Sequence, residues 1–262
     1  AHPDVRRMLL LQKSHAEGMR ALCFYAASLQ DQREILHETD PKAAQALDRR
    51  NDLLLPLIKG YCSEKVYELL AVSLQCFGGS GYLEDYPIEQ YIRDQKIDSL
   101  YEGTTHIQAL DLLLRKIGRD GGQMLREILA EVQATLAENA GGEELADART
   151  SLGKALENVQ VMLMALLGKM GESLYHVGLQ GNRVLMALAE VLIAWLLIRH
   201  GALAVRKLAE LPEGAESERG FYQGKIFSAR YFATQVLPRL SFDRRQVEAS
   251  DLAPMNLPVS AF

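Results

Sequence analysis

Glu102 stands between Tyr101 and the run Gly103-Thr104-Thr105, immediately before an apolar helical pattern resumes at Ile107. A carboxylate on such a turn can project into a cleft, and the N-terminus of a neighbouring helix can bind an anion. The two features together are a setting for chemistry on a charged ligand. Upstream, Gly78, Gly79 and Gly81 let backbone approach such a ligand closely. Taken alone, a glutamate on a turn is an ordinary solvated side chain, and a glycine pair is an ordinary helix stop. The remaining reactive residues form no comparable set. His15, His37, His176 and His200 lack HxxxH or HExxH spacing, and Cys23, Cys62 and Cys76 lack CxxC spacing, so no metal site is expected. No nucleophile elbow, phosphate-binding GK[ST] loop or dinucleotide-binding GxGxxG is present.

The elements that must position Glu102 read as helices throughout. Met8, Leu11, His15, Met19, Leu22, Ala26 and Leu29 step by three or four, the spacing of one helical face, with Asp4 as the expected N-cap after Pro3. Asp40 caps a second helix, Pro41 occupies its first position, and Gly78-Gly79 stops it after about Phe77. Pro56 falls inside it and predicts a kink. A short helix covers Pro87 to Arg93. Thr105 and Gln108 have capping-box spacing, with Thr104 offering a second hydroxyl, and the helix they open ends at Gly118. Further apolar patterns span 124–138, 144–170, 173–209 and 216–237, and the Pro-containing tail from Asp251 is expected to be extended. No strand alternation of any length occurs.

Four motifs in fixed order, GG-x-GY (78–82), YP-x-E (86–89), RD-x-KI (93–97) and YEGT (101–104), resemble the C-terminal helical domain of the acyl-CoA dehydrogenases. The resemblance covers about residues 1–118. Residues 119–262 resemble, more diffusely, the extra C-terminal domain of some longer bacterial members. The resemblance implies an all-α fold, an up-and-down helical bundle at 1–118 followed by a second, four-helix bundle at 119–262. It also implies that a flavin (FAD) enzyme oxidises an acyl-CoA to the trans-2-enoyl-CoA, with Glu102 as the base that takes the α-proton. Gln75, Gly78 and Gly79 then meet the adenosine portion of FAD, commonly across a subunit boundary. Thr104, Thr105 and His106 meet its diphosphate, although many relatives carry an amide or small residue where His106 stands. Tyr101 and Gly103 line the thioester pocket, and Arg93-Asp94 is a structural pair. The implied partners are an electron-transfer flavoprotein or similar acceptor and further copies of the chain, giving a homo-oligomer. The N-terminal helical and β-domains of the family are not in this sequence, which reads as a fragment that is inactive alone. Acyl-CoA oxidases share the architecture and the glutamate. A helical assembly or membrane-contact module, with Val184–Ile198 as its partner surface, is the reading outside enzymes.

Composition sets outer limits. At 262 residues with 48% hydrophobic and 24% charged residues, the chain can bury a sizeable core. A net charge of −5 implies no general affinity for nucleic acid. The apolar run Val184–Ile198 contains Glu190 and is short for a membrane span, so it reads as a buried helix. The cysteines read as buried free thiols of a reducing compartment, and with no signal-peptide pattern the expected location is cytoplasmic.

Overall fold

Proline starts both of the long helices that frame the fold. The computed structural model describes residues 2–262, and no strand occurs among them. Helix α1 (Pro3–Leu36) begins with Pro3 at its first position, so the cap falls on His2. Asp4 therefore lies inside the first turn, not at the cap, and accepts from Arg7 Nε at 2.7 Å. Helix α2 (Pro41–Cys76) is capped as expected, Asp40 accepting from the Ala43 N–H at 3.0 Å. Bonds from Ser73 to Gln12 and from Arg33 to Asp48 show that the two helices run antiparallel. Helix α2 continues through Pro56, whose ring is buried.

Short elements follow: α3 (Ile88–Gln95), then α4 (Thr105–Leu110), which widens directly into a π-helical segment, Asp111–Ile117. Gly121 and Gly122 turn the chain with φ of 64° and 80°, and the Asp120 carboxylate then accepts from the N–H groups of Gly122, Gln123 and Met124 at 2.9–3.1 Å. That caps α5 (Gln123–Ala137). Helices α6 (Ala146–Met170), α7 (Tyr175–Glu210) and α8 (Glu216–Tyr231) come next. The pattern at 216–237 is not one helix. After Tyr231 the backbone widens to a π segment, Phe232–Val236, then tightens to a 3₁₀ turn where Pro238 costs no hydrogen bond, and α9 (Leu240–Glu248) follows. The tail from Asp251 forms two short turns and is largely exposed.

Helix α7 is the spine. Its residues from Val184 to Ile198 are buried apart from Met186. By length and apolarity it could cross a membrane, yet 83% of its most apolar window is buried within the protein. The partner-surface reading of this stripe fails for that reason. Buried apolar side chains form one cluster, from Leu22 and Leu54 in the first two helices to Ile128, Leu156 and Trp195. Inside it, Glu190 accepts from the Arg239 guanidinium and from Tyr61 Oη at 3.2 Å. Burial pushes the Glu190 carboxyl up, and Arg239 opposes that shift. Cys62 and Cys76 are half-buried as free thiols, whereas Cys23, beside Cys62, is exposed, contrary to the buried reading.

Buried His15 gives the fold a pH dependence. Its Nδ1 lies 2.8 Å from the Leu11 carbonyl, its ring sits tilted against Phe232 with centroids 4.9 Å apart, and burial lowers its pKa from 6.5 to about 4. Because the folded pKa is depressed, the unfolded chain binds the extra proton between those values, so stability is full above pH ~6.5 and falls towards pH ~4. The integrated loss is about 3 kcal/mol at 1.36 kcal/mol per unit. Urea unfolding at pH 7 and pH 4.5 is expected to show a smaller acid loss in His15→Gln than in wild type. Equal losses would remove His15 as the cause.

Candidate active site

The turn carrying Glu102 is strained and over-determined. A 3₁₀ turn at Lys96–Ser99 leads into Leu100 and Tyr101, whose N–H groups both bond to the Ile97 carbonyl, at 2.9 and 3.2 Å. Glu102 then adopts φ 54° and Gly103 φ 88°, two left-handed residues in succession. For a glutamate that conformation costs about 1–3 kcal/mol and persists only where the surroundings impose it. Two side chains impose it. Gln108 Nε2 donates to the Glu102 carbonyl at 2.9 Å, and Lys59 Nζ donates to the Gly103 carbonyl at 2.7 Å. Glycine suits position 103 because of its left-handed φ, and a Cβ there would also make a tight 3.1 Å contact with Ile107 Cγ2. The Glu102 carboxylate itself is exposed and has no hydrogen bond or ion pair among the described residues.

The hydroxyls after it divide their roles differently from the capping-box expectation. Thr104 is the N-cap of α4, accepting from the Ile107 N–H at 3.5 Å. Thr105 is buried and donates to Glu64 Oε1 at 2.7 Å, with Lys96 3.7 Å from the other carboxylate oxygen. Gln108 is thus free to hold the Glu102 carbonyl. His106 is half-buried with Nδ1 3.3 Å from Asn182 Oδ1, so its side chain is tied to α7 and its backbone N–H remains at the helix N-terminus. Tyr101 is exposed, and Asp98 beside it raises the phenol above its usual range. Lys59 sits 5.8 Å from the Tyr101 ring centre. Lys59, Glu64 and Gln108 were missed from sequence. Only Gln108 carried a local signal, its spacing from Thr105.

Gln75, Gly78 and Gly79 lie at the end of α2 and are all exposed, and no hydrogen bond links them to the Glu102 turn among the described residues. Gly78 has φ 60°, and no atom lies within 4 Å of a Cβ built on Gly78 or Gly79, so a flat ligand can approach this backbone. Gly81 is different. It is buried, and a Cβ would stand 2.7 Å from the Leu74 carbonyl oxygen, so it is a packing glycine. Exposed rings flank the pair, Phe77 and Tyr82, the latter 84% exposed. Open glycine backbone beside exposed aromatic rings, and an N-terminal helical turn capped by a hydroxyl, fit the adenosine and diphosphate of a nucleotide cofactor. Among the described residues no cluster of His, Cys, Asp and Glu could hold a metal ion.

Comparison with known proteins places each half in a described family. Residues 1–117 match the family model "Acyl-CoA dehydrogenase, C-terminal domain", and residues 128–258 match "Acetyl-CoA dehydrogenase C-terminal like". The chain is 48% identical, over its whole length, to the broad-specificity linear acyl-CoA dehydrogenase FadE5 of Mycobacterium tuberculosis, and spans 43% of that protein. It therefore corresponds to less than half the length of this relative. Among solved structures, Caenorhabditis elegans ACDH-11 in complex with C11-CoA superposes with a TM-score of 0.71 at 22% identity, covering 97% of this chain and 41% of that one. An acyl-CoA dehydrogenase from Bacillus anthracis complexed with FAD gives 0.68 at 18% identity, with 98% and 45% covered. At those identities the likeness to the solved structures is one of fold.

Proposed function

We propose, from the premise that this chain belongs to the acyl-CoA dehydrogenase family, that it forms the C-terminal helical part of an FAD-dependent acyl-CoA dehydrogenase. The observation that carries this reading is the Glu102 carboxylate, unpartnered and exposed on left-handed backbone whose carbonyls are pinned by Gln108 and Lys59. A thioester carbonyl acidifies the α C–H bond of an acyl-CoA, and Glu102 takes that proton, becoming a carboxylic acid. FAD, when bound, would supply the acceptor for the hydride from the β-carbon, which would give the trans-2-enoyl-CoA. Tyr101 and Gly103 flank the thioester. Thr104, Thr105 and His106 present the start of α4 to the FAD diphosphate, and Gln75, Gly78 and Gly79 offer backbone to its adenosine portion. The linear acyl-CoA dehydrogenase relative supports the reaction class, and the C11-CoA and FAD bound in the two solved structures support a CoA thioester and FAD as ligands.

The same reading covers assembly. Tyr82, Tyr91, Ile97 and Ile107 in the first half of the chain are each more than half exposed, apolar side chains available for contact with other copies and domains. The acceptor of the electrons is an electron-transfer flavoprotein or a similar carrier. The test is to incubate the intact flavoprotein with straight-chain acyl-CoAs and an artificial electron acceptor, and to weigh the CoA product. Loss of two hydrogens without stoichiometric peroxide is expected. An unchanged mass would overturn the activity, and peroxide matching product would make the protein an oxidase.

A further inference from the structure

Among the described residues, Lys59 is the one side chain from outside residues 97–108 that hydrogen-bonds to the Glu102 turn. The other bonds of residues 100–104 are local. Leu100 and Tyr101 bond back to Ile97, Thr104 accepts from the N–H groups of Ile107 and Gln108, and the Gln108 amide reaches the Glu102 carbonyl. Such bonds shape the turn but move with it. Lys59 stands on α2, so its bond to the Gly103 carbonyl at 2.7 Å ties the turn to the frame. Just beyond, Thr105 is tied to Glu64 of the same helix, so α2 fixes the start of α4 as well. The bond from Lys59 acts at a weak point. The Gly103 carbonyl belongs to the peptide unit between Gly103 and Thr104, and glycine, without a Cβ, resists rotation of that unit little. With φ of 54° at Glu102 and 88° at Gly103, rotation there lets the left-handed pair relax and redirects the glutamate. Gly60 brings the helices together. A Cβ on it would stand 3.5 Å from Gln108 Cβ and 2.9 Å from Leu185 Cδ1, so α2 passes α4 closely enough for Lys59 to reach the turn. Lys59 has no acid partner among the described residues, whereas Lys65, six residues on, pairs with Glu68 at 2.5 Å. Its ammonium is committed to the carbonyl after Glu102 and lies 5.8 Å from the ring centre of Tyr101 before it.

We propose that Lys59 is a positioning residue for the proton abstraction, clamping the residues on both sides of Glu102 so that the carboxylate stays aimed at the α-carbon of the acyl-CoA. This rests on Glu102 as the base and adds that the rate depends on how α2 holds it. Proton transfer needs the reacting atoms ~3–3.5 Å apart and aligned, and a misplacement of ~1 Å costs on the order of 10²-fold. Lysine suits the task better than a neutral donor. A charged N–H binds a carbonyl more strongly than an uncharged one, and a cation is drawn to the face of the Tyr101 ring, which an amide or hydroxyl is not. Lys59 acts through Glu102 and takes no proton itself.

The experiment uses the intact flavoprotein, mixed anaerobically with acyl-CoA over a range up to saturation while flavin bleaching is followed per bound flavin. Lys59→Met keeps the length of the stem and removes the charge and the donors. It is expected to bleach about 10- to 100-fold more slowly than wild type at saturation, the scale of a left-handed glutamate no longer held in place. Its half-saturating acyl-CoA concentration and its flavin content should stay at wild-type values. Acyl-CoA deuterated at the α-carbon should slow the variant at least as much as it slows wild type, because proton transfer is the hindered step. Lys59→Arg, which keeps charge and donors, should be faster than Lys59→Met. Where Lys59→Met holds no flavin, Lys59→Gln, one atom shorter and still polar, carries the same prediction. Wild-type bleaching in Lys59→Met, a vanished isotope effect, an arginine variant no faster than the methionine one, or flavin lost from both Lys59→Met and Lys59→Gln would each overturn the proposal. Glu102→Gln in the same assay separates the two claims. An inactive Glu102→Gln beside a fully active Lys59→Met removes the role of Lys59 and leaves the base, whereas a fully active Glu102→Gln removes both.

Discussion

Replacing Glu102 by Gln in the intact enzyme is expected to lower turnover of acyl-CoA by roughly 10²- to 10⁴-fold, the usual loss when a positioned general base is removed. The amide is nearly the same shape but cannot take the α-proton. Nothing else should change. The side chain is exposed and unpartnered, and the bonds that hold the turn run to backbone carbonyls of residues 102 and 103, which the substitution keeps. Flavin content, helical circular dichroism and substrate affinity should therefore match wild type. Steady-state kinetics on flavin-matched samples checks this, and a variant retaining more than about a tenth of the activity would move the base to another residue.

The largest effect on stability is expected at Trp195. The residue is 2% exposed, meets Tyr25 edge-on with centroids 5.6 Å apart, carries Arg199 over its face at 5.1 Å and donates from Nε1 to Thr135 Oγ1 at 2.8 Å. It joins α1, α5 and α7 in one contact. Trp195→Ala leaves a cavity in the middle of the core and should cost about 3–5 kcal/mol. Thr135 still donates to the Glu131 carbonyl at 3.0 Å, so its hydroxyl is not stranded and the loss is mainly one of packing. Thermal unfolding followed by circular dichroism should show a drop of roughly 6–20 °C for a chain of this size. Trp195→Phe, which keeps most of the ring, should lose much less. If the two variants fell equally, the indole hydrogen bond and not packing would be the dominant contribution.

The frame of the molecule was legible because its signals are local. Asp40-Pro41 marks a helix start through one side-chain bond and one missing N–H, the apolar steps of α1 state which of its faces is buried, and the continuous apolar run of α7 marks it as a core helix. The turn at 101–104 was legible for a different reason, its motif and its place among three others. What held the turn in shape was not. Lys59 and Glu64 come from α2, more than 40 residues earlier in the chain, and nothing in their neighbourhood on the sequence distinguishes them from surface charges. Thr104 and Thr105 offered the same hydroxyl to one helix end, and only tertiary packing, the approach of Glu64 to Thr105, assigned the cap to Thr104. The break after Tyr231 was hidden because a π segment keeps helical apolar spacing nearly intact, and α9 because a proline just before it reads as a stop.

The most direct test of Glu102 as the base is the reductive half-reaction alone. Wild-type and Glu102→Gln forms of the intact flavoprotein are mixed anaerobically with saturating acyl-CoA while the absorbance of oxidised flavin is followed. The expected result is rapid bleaching in wild type and a flavin that stays oxidised in the variant even though acyl-CoA binds. Bleaching of the variant at more than about a tenth of the wild-type rate, above the 10²-fold loss expected for a missing base, would contradict it.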